Sequence, residues 1–195
     1  YEEGRRLADV PLFDVVVGER REGDEVGDDE RHAEYNAGTN LLEADDEDVE
    51  RFMFEYWVGP KEAVQPSGVQ ATLYGVNGKA FDPGVSVRAC GEGRVHEWRV
   101  VNEKNGGHPF HLHANHFQVV SWSCDGGEAG CENHDYDVGE WRDSISVPSP
   151  GEVVVRFRTG KWVGKTLAHC HVIGHQDRGM AVGVDVGGEC EMMYA

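Results

Sequence analysis

The sequence contains no long apolar run. No segment reaches the roughly eighteen consecutive apolar residues that a membrane-spanning helix needs, so we expect no transmembrane helix. Positive charge is also scarce, because 18 Lys and Arg stand against 36 Asp and Glu and give a formal net charge of −18. Nucleic acids and anionic membranes bind surfaces rich in Lys and Arg. The charge therefore argues against both classes of partner, and cationic substrates such as metal ions or aromatic amines are expected to be attracted.

Long helical periodicity and internal repeats are missing as well. Apolar residues instead alternate with polar ones, as in Val153, Val155 and Phe157, and again in Phe52–Tyr56 and Val182–Val186. This two-residue period is typical of strands that are buried on one face. The 26 glycines and several Pro-Gly turns divide the chain into short segments. The pattern predicts an all-β fold, a Greek-key β-sandwich.

Acidic residues concentrate between Glu19 and Glu50, in blocks such as Asp45–Asp48. Blocks of like charge usually form solvated or linking segments. Residues 1–50 are therefore predicted to be an acidic linker or the end of a preceding domain, to which a short strand over Val10–Val17 would belong. Residues 51–195 are predicted to form the β-domain. A role of the acidic run in gathering ferrous or cuprous ions is the alternative.

Metal-binding residue types concentrate in His169-Cys170-His171 and in the following His175 and Met180. Successive side chains of a strand point to opposite faces, so His169 and His171 share one face and Cys170 projects from the other. One tripeptide can thus serve two metal sites. Two His and one Cys with a weak axial Met are typical of blue-copper sites, and Cys170, His175 and Met180 provide three of these four ligands.

A second segment, His-Pro-Phe-His-Leu-His at 108–113, contains the fourth ligand. By the same alternation, His111 and His113 share a face and His108 lies on the other. If the two segments lie side by side, His108 completes the blue-copper set. A second site rich in imidazole then contains His111, His113, His169 and His171. Zinc is the less favoured metal, because the C-x-x-C spacing of closed zinc sites is missing.

At these residues the chain resembles the multicopper oxidase family, in its C-terminal cupredoxin domain. The family motifs H-P-x-H-x-H and H-C-H-x-x-x-H-x-x-x-G-M are both complete, and the resemblance covers about Phe52 to Val186, including an N-G-x-x-F turn within Tyr74–Phe81. The resemblance implies a cupredoxin-like sandwich. It also implies type 1 copper on His108, Cys170, His175 and Met180, type 2 copper on His111, and a type 3 copper pair on His113, His169 and His171.

The resemblance also implies an activity. A reducing substrate would give up one electron at a time near His175, and the electrons would pass through the sulfur of Cys170 to His169 and His171. Four such transfers would reduce dioxygen to water at a trinuclear copper cluster. His175 and Cys170 are thus the expected catalytic residues. A phenol, an amine or a metal ion is the expected small reducing substrate.

The chain departs from the family in its number of histidines. Such a cluster takes four more histidines, as two H-x-H pairs, from an N-terminal domain. Of the ten histidines here, the four outside the motifs form no H-x-H pair; they are His32, His96, His116 and His134. We therefore expect a processed piece of a longer oxidase, or a subunit whose cluster another chain completes. A single-domain electron-transfer protein and a structural cupredoxin module in a larger assembly are the alternatives.

Five cysteines leave an even four once Cys170 is assigned to copper. Cys124 and Cys131 bracket a Gly-rich loop and could pair, leaving Cys90 for Cys190 or for a cysteine in another domain. Disulfides persist in oxidising compartments. We therefore expect a secreted, cell-surface or periplasmic protein, with free thiols in a cytosolic protein as the alternative.

Overall fold

The alternating segments form β-strands in the computed structural model. The structure describes residues 41–42, 49–60, 71–89, 91, 93–103, 106–125, 131, 136–160 and 163–187. The strands are β1 (Glu50–Val58), β2 (Tyr74–Val76), β3 (Ser86–Ala89), β4 (Val95–Asn102), β5 (His108–Leu112), β6 (Phe117–Cys124), β7 (Trp141–Arg142), β8 (Ser144–Val147), β9 (Gly151–Arg158), β10 (Gly164–Cys170) and β11 (Ala181–Val186). A short helix, α1 (Ile173–Gln176), lies between β10 and β11.

The strands form two sheets. One has the order β2-β1-β4-β9-β6-β7, and the other has the order β3-β11-β10-β5-β8. Strand β1 runs parallel to β4 and β11 runs parallel to β3, whereas the other pairs are antiparallel. Neighbours in space are thus often distant in sequence, as a Greek-key connection requires. The predicted all-β Greek-key sandwich is confirmed.

Aromatic side chains from both sheets form the core. Phe110 of β5 lies edge-on to Phe54 of β1, with 5.2 Å between ring centroids. It also packs against Trp98 and Phe117, and all four rings are buried. Burying each such side chain contributes about 1.5–3 kcal/mol. Phe110 therefore fixes the inner face of the strand that carries the predicted ligands His108 and His111.

The pairing of β5 with β10 positions the two histidine-rich segments. The strands are antiparallel neighbours in which His169 lies opposite His111 and Cys170 lies opposite Phe110. Strand β8 pairs with the other edge of β5, where Ser144 lies opposite His111. The side-by-side arrangement that the sequence requires is therefore present.

Several predictions from the sequence fall outside the described residues. They concern the strand at Val10–Val17, most of the acidic run, Cys90, Cys190, His32 and His134. Leu42, within the segment predicted to be a linker, is buried, and its backbone N–H donates to Oε1 of Gln118. The sandwich lies within the compact unit Glu34–Ala195. Among the described residues, no helix has the length and apolar character of a membrane span.

Candidate metal centre

A first group of potential metal ligands lies where β5 begins and β10 ends, with His108 and Cys170 buried and His175 half-buried. His108 begins β5, Cys170 ends β10 and His175 lies in α1. The sulfur of Cys170 is 3.6 Å from Nδ1 of His108 and 3.8 Å from Nδ1 of His175, and the two nitrogens are 3.2 Å apart. Three donor atoms thus converge on one point, and we call these residues the thiolate group.

Met180 is held beside the thiolate group by the backbone. The N–H of Cys170 donates to the carbonyl of Met180 at 3.0 Å, and the N–H of Met180 donates to the carbonyl of His175 at 3.0 Å. The Met180 side chain is fully buried. The chain reverses at Gly179, whose φ of +105° is a conformation that L side chains rarely adopt. The spacing from His175 to Met180 therefore depends on this glycine.

Burial sets the protonation of the thiolate group. It lowers the pKa of His108 to about 4, with a further contribution from nearby His175. It raises the pKa of Cys170 to about 11, although the backbone N–H of Val172 bonded to the sulfur opposes this. Without a metal, the imidazole is neutral and the thiol keeps its proton at neutral pH. A metal ion would meet ready nitrogen ligands and would have to displace the thiol proton.

A second group lies on the opposite face of the same two strands. His113 and His169 approach with their Nε2 atoms 2.9 Å apart, and His111 lies close to both, with ring centroids at 4.8 and 5.1 Å. His171 is exposed, and its ring centroid is 5.3 Å from that of His111. We call these four residues the imidazole group; the first three bring one nitrogen each to within 4.8 Å of one another.

Hydrogen bonds orient the rings of the imidazole group. Nδ1 of His111 donates to the Asp143 carbonyl at 2.9 Å and lies 2.7 Å from Oγ of Ser144. Nδ1 of His169 donates to the Cys170 carbonyl at 2.9 Å. Each bond places the ring proton on Nδ1 and leaves the lone pair on Nε2, which is how metal-binding histidines are usually held. Burial, followed by nearby charges, lowers the pKa of His113; burial also lowers that of His169.

The two described histidines outside the motifs, His96 and His116, belong to neither group. His96 is buried against Phe157, with 5.3 Å between ring centroids, and His116 is exposed. Four residues near the groups were not singled out by the sequence as neighbours of the ligands: Tyr56, Tyr74, Ser144 and Arg178. The two tyrosines stack on the rings of predicted ligands, Tyr56 on His108 and Tyr74 on His175. No local sequence signal identifies such neighbours, because they lie on other strands or act through long side chains.

The donor set of the thiolate group fits copper. Two imidazoles, a thiol and a buried thioether form the combination that selects copper in blue-copper sites, and a free buried cysteine is available for it. His108, Cys170, His175 and Met180 would hold this copper. The imidazole group supplies nitrogen ligands, which also suit copper.

Comparison with known proteins gives the same family. A family model described as multicopper oxidase matches residues 53–189. A laccase from Pycnoporus cinnabarinus is 40% identical over 76 residues, which cover 38% of this chain and 13% of the laccase. An iron multicopper oxidase from Mycosarcoma maydis is 32% identical over 114 residues, which cover 56% of this chain and 17% of that protein. The chain thus spans less than a fifth of the length of these two relatives.

A solved structure supports the fold. The multicopper oxidase of Campylobacter jejuni superposes with a TM-score of 0.54 at 20% identity, covering 72% of this chain and 30% of the other. This likeness confirms the cupredoxin-like sandwich. The relatives' names describe oxidoreductases, and the family binds copper. The chain belongs to the multicopper oxidase family.

Proposed function

We propose that the chain is the part of a multicopper oxidase that holds one copper on the thiolate group and supplies the imidazole group to a trinuclear copper cluster. The alternation of His169, Cys170 and His171 across one strand end carries this proposal, because it places the two groups on opposite faces. Copper, when bound, would accept electrons singly from a reducing substrate and support the four-electron reduction of dioxygen to water.

The chain's own residues define where each event would take place. His175 is half-buried, so its ring edge is the part of the thiolate group that a reductant can approach. His108, Cys170 and Met180 are buried, which excludes water from the sulfur. The peptide bonds on either side of Cys170 join it directly to His169 and His171. This is the shortest covalent connection between the two groups.

Another domain or chain is needed to complete the cluster. The imidazole group contributes four rings, and the described histidines outside the motifs, His96 and His116, do not join it. The relatives are far longer than the matched region. We infer that the missing ligands come from a second cupredoxin domain of the same oxidase or from another chain. A single-domain electron carrier would have no use for a second imidazole group.

The substrate and compartment follow the same reasoning. Phenols, amines and metal ions are reductants that one-electron copper chemistry can use. A disulfide joins Cys124 and Cys131, as the sequence suggested. Disulfides are rare in reducing compartments, which favours a secreted, cell-surface or periplasmic location.

Copper titration of the purified chain tests the proposal. We expect the first equivalent to give an intense blue absorption from the thiolate–copper bond, which Cys170→Ser abolishes. His113→Ala leaves this absorption intact, because His113 lies outside the thiolate group. With a phenolic reductant and oxygen, the chain alone should bleach but consume no oxygen catalytically. Sustained oxygen uptake by the chain alone, or copper binding without blue absorption, would refute the proposal.

A further inference from the structure

Arg178 and Tyr74 cover the ligand that the reductant approaches. The ring of Tyr74 stacks on that of His175 with centroids 4.2 Å apart and 20° between planes. The guanidinium carbon of Arg178 lies 4.5 Å from the centroid of Tyr74. A cation therefore sits one aromatic ring away from His175.

The backbone holds this stack in place. The N–H of Tyr74 donates to the carbonyl of Arg178 at 3.0 Å, and the N–H of Arg178 donates to the carbonyl of His175 at 3.1 Å. Nε of Arg178 also donates to the carbonyl of Gly174 at 2.6 Å. The guanidinium is therefore fixed at the rim of α1 rather than extended into solvent.

No carboxylate neutralises this cation within the described part of the chain. The ion pairs recorded there join other arginines to glutamates, for example Arg156 to Glu97 and Arg142 to Glu140. Arg178 takes part in none of them.

Two exposed apolar side chains lie at the same rim. Ile173 begins α1, and the backbone N–H of Phe81 donates to the carbonyl of Gly179 at 2.9 Å. Both side chains are exposed although large and apolar. Exposed apolar side chains suit an aromatic ring, and the nearby guanidinium of Arg178 suits a negative charge on that ring.

We propose that Arg178 is a specificity-determining residue that favours anionic and neutral aromatic reductants over cations at the exposed edge of His175. This inference rests on the proposed function. The net charge of −18 attracts cations from a distance, but at physiological salt distant charges are screened beyond about 8 Å. The guanidinium is fixed one aromatic ring from His175, so its charge acts at the docking edge and opposes the preference that composition alone predicts.

Binding of redox-inert probes tests the proposal without any turnover. The probes are benzoate and benzylammonium, which share a ring and carry opposite charge. They are titrated at physiological salt into the full chain with diamagnetic cuprous copper added, and amide NMR signals are followed. Benzoate should shift the signals of Ile173, Phe81 and Arg178. Arg178→Gln should weaken benzoate binding and strengthen benzylammonium binding, each about two- to fivefold, as an exposed charge pair allows.

Matched variants separate local from global charge. Arg88→Gln removes the same charge from β3, where Arg88 is exposed and pairs in register with Asp185; it should leave both affinities unchanged. Arg178→Lys keeps the charge and should retain the preference. Equal effects of Arg178→Gln and Arg88→Gln, or no effect of either, would overturn the proposal.

Reduction kinetics supply a second readout in copper-loaded protein. Bleaching of the blue absorption by a catechol sulfonate should slow in Arg178→Gln, and bleaching by a catechol with an ammonium side chain should accelerate. Absence of any blue absorption in the unmodified chain would refute the proposed function instead. Normal blue absorption with unchanged charge preference in Arg178→Gln would refute the role of Arg178 alone.

Discussion

Replacement of Gly179 by Ala should disrupt the loop that joins His175 to Met180. A Cβ at this position would lie 2.7 Å from the carbonyl oxygen of Tyr74, 2.9 Å from Cβ of Ala80 and 3.1 Å from the backbone N of Phe81. Two of these atoms belong to the backbone, so rotation of a side chain cannot relieve the contact. The φ of +105° adds strain for any residue with a Cβ.

The magnitude follows from these two terms. Backbone strain at such a φ costs about 1–3 kcal/mol, and one methyl group forced into a packed site costs about 1–3 kcal/mol. We therefore expect Gly179→Ala to lower the free energy of unfolding by about 2–6 kcal/mol. Gly106→Ala is a matched control, because Gly106 has a φ of +133° but no described atom within 4 Å of its Cβ position. For Gly106→Ala we therefore expect only the cost of backbone strain, about 1–3 kcal/mol of unfolding free energy.

Urea denaturation of the metal-free chain measures both variants. Gly179→Ala should be the less stable of the two, and it should also lose blue absorption after copper addition, because Met180 no longer returns beside Cys170. Gly106→Ala should retain that absorption. Equal destabilisation of the two variants, or normal blue absorption in Gly179→Ala, would refute the idea that close backbone packing at this glycine sets the ligand loop.

Three further changes test particular contacts. The buried hydroxyl of Tyr56 has no hydrogen-bond partner among the described residues, so Tyr56→Phe should leave the free energy of unfolding unchanged or raise it by about 1 kcal/mol. A loss above that size in urea denaturation would contradict this. Burial lowers the pKa of His108 from the ordinary 6.5 to about 4. As the pH falls, the unfolded chain therefore takes up this proton before the folded chain does. Metal-free stability should thus fall by up to about 3 kcal/mol between pH 6.5 and 4; pH-independent denaturation curves would argue against it. The side chain of Asn77 donates to the Met53 carbonyl and accepts from the Glu55 N–H, so Asn77→Ala should cost about 1–3 kcal/mol in thermal or urea unfolding, and Asn77→Asp, which keeps only the acceptor, should cost less.

The faces of the ligand strands could be predicted because alternation is a local property. His108 and His111 differ by three residues, and His169 and Cys170 by one, so each pair divides between opposite faces whatever the rest of the fold does. The pairing of β5 with β10 could be predicted on one assumption, that the two histidine-rich segments contribute ligands to the same metal sites. The strand period at Val153, Val155 and Phe157 is likewise confirmed, since all three are buried.

Contacts made through the fold could not be predicted in the same way. Tyr56 lies on β1 and reaches His108 only because the two sheets face each other. Arg178 is only three residues from His175 in sequence, but that spacing does not show where its guanidinium lies. Only the stack on Tyr74 shows this position, and the overall acidic composition had suggested that cations would be attracted instead. Spacing in sequence gives the direction of a side chain relative to its neighbours but not the identity of the group that packs against it.

X-ray absorption spectroscopy of the chain loaded with one equivalent of copper tests the central claim most directly. The claim is that Cys170 faces a copper site shared with His108 and His175, whereas its neighbours His169 and His171 face the other way. The account predicts a short copper–sulfur bond that Cys170→Ser removes. The absence of that bond in the unmodified chain, or its persistence in Cys170→Ser, would contradict the account.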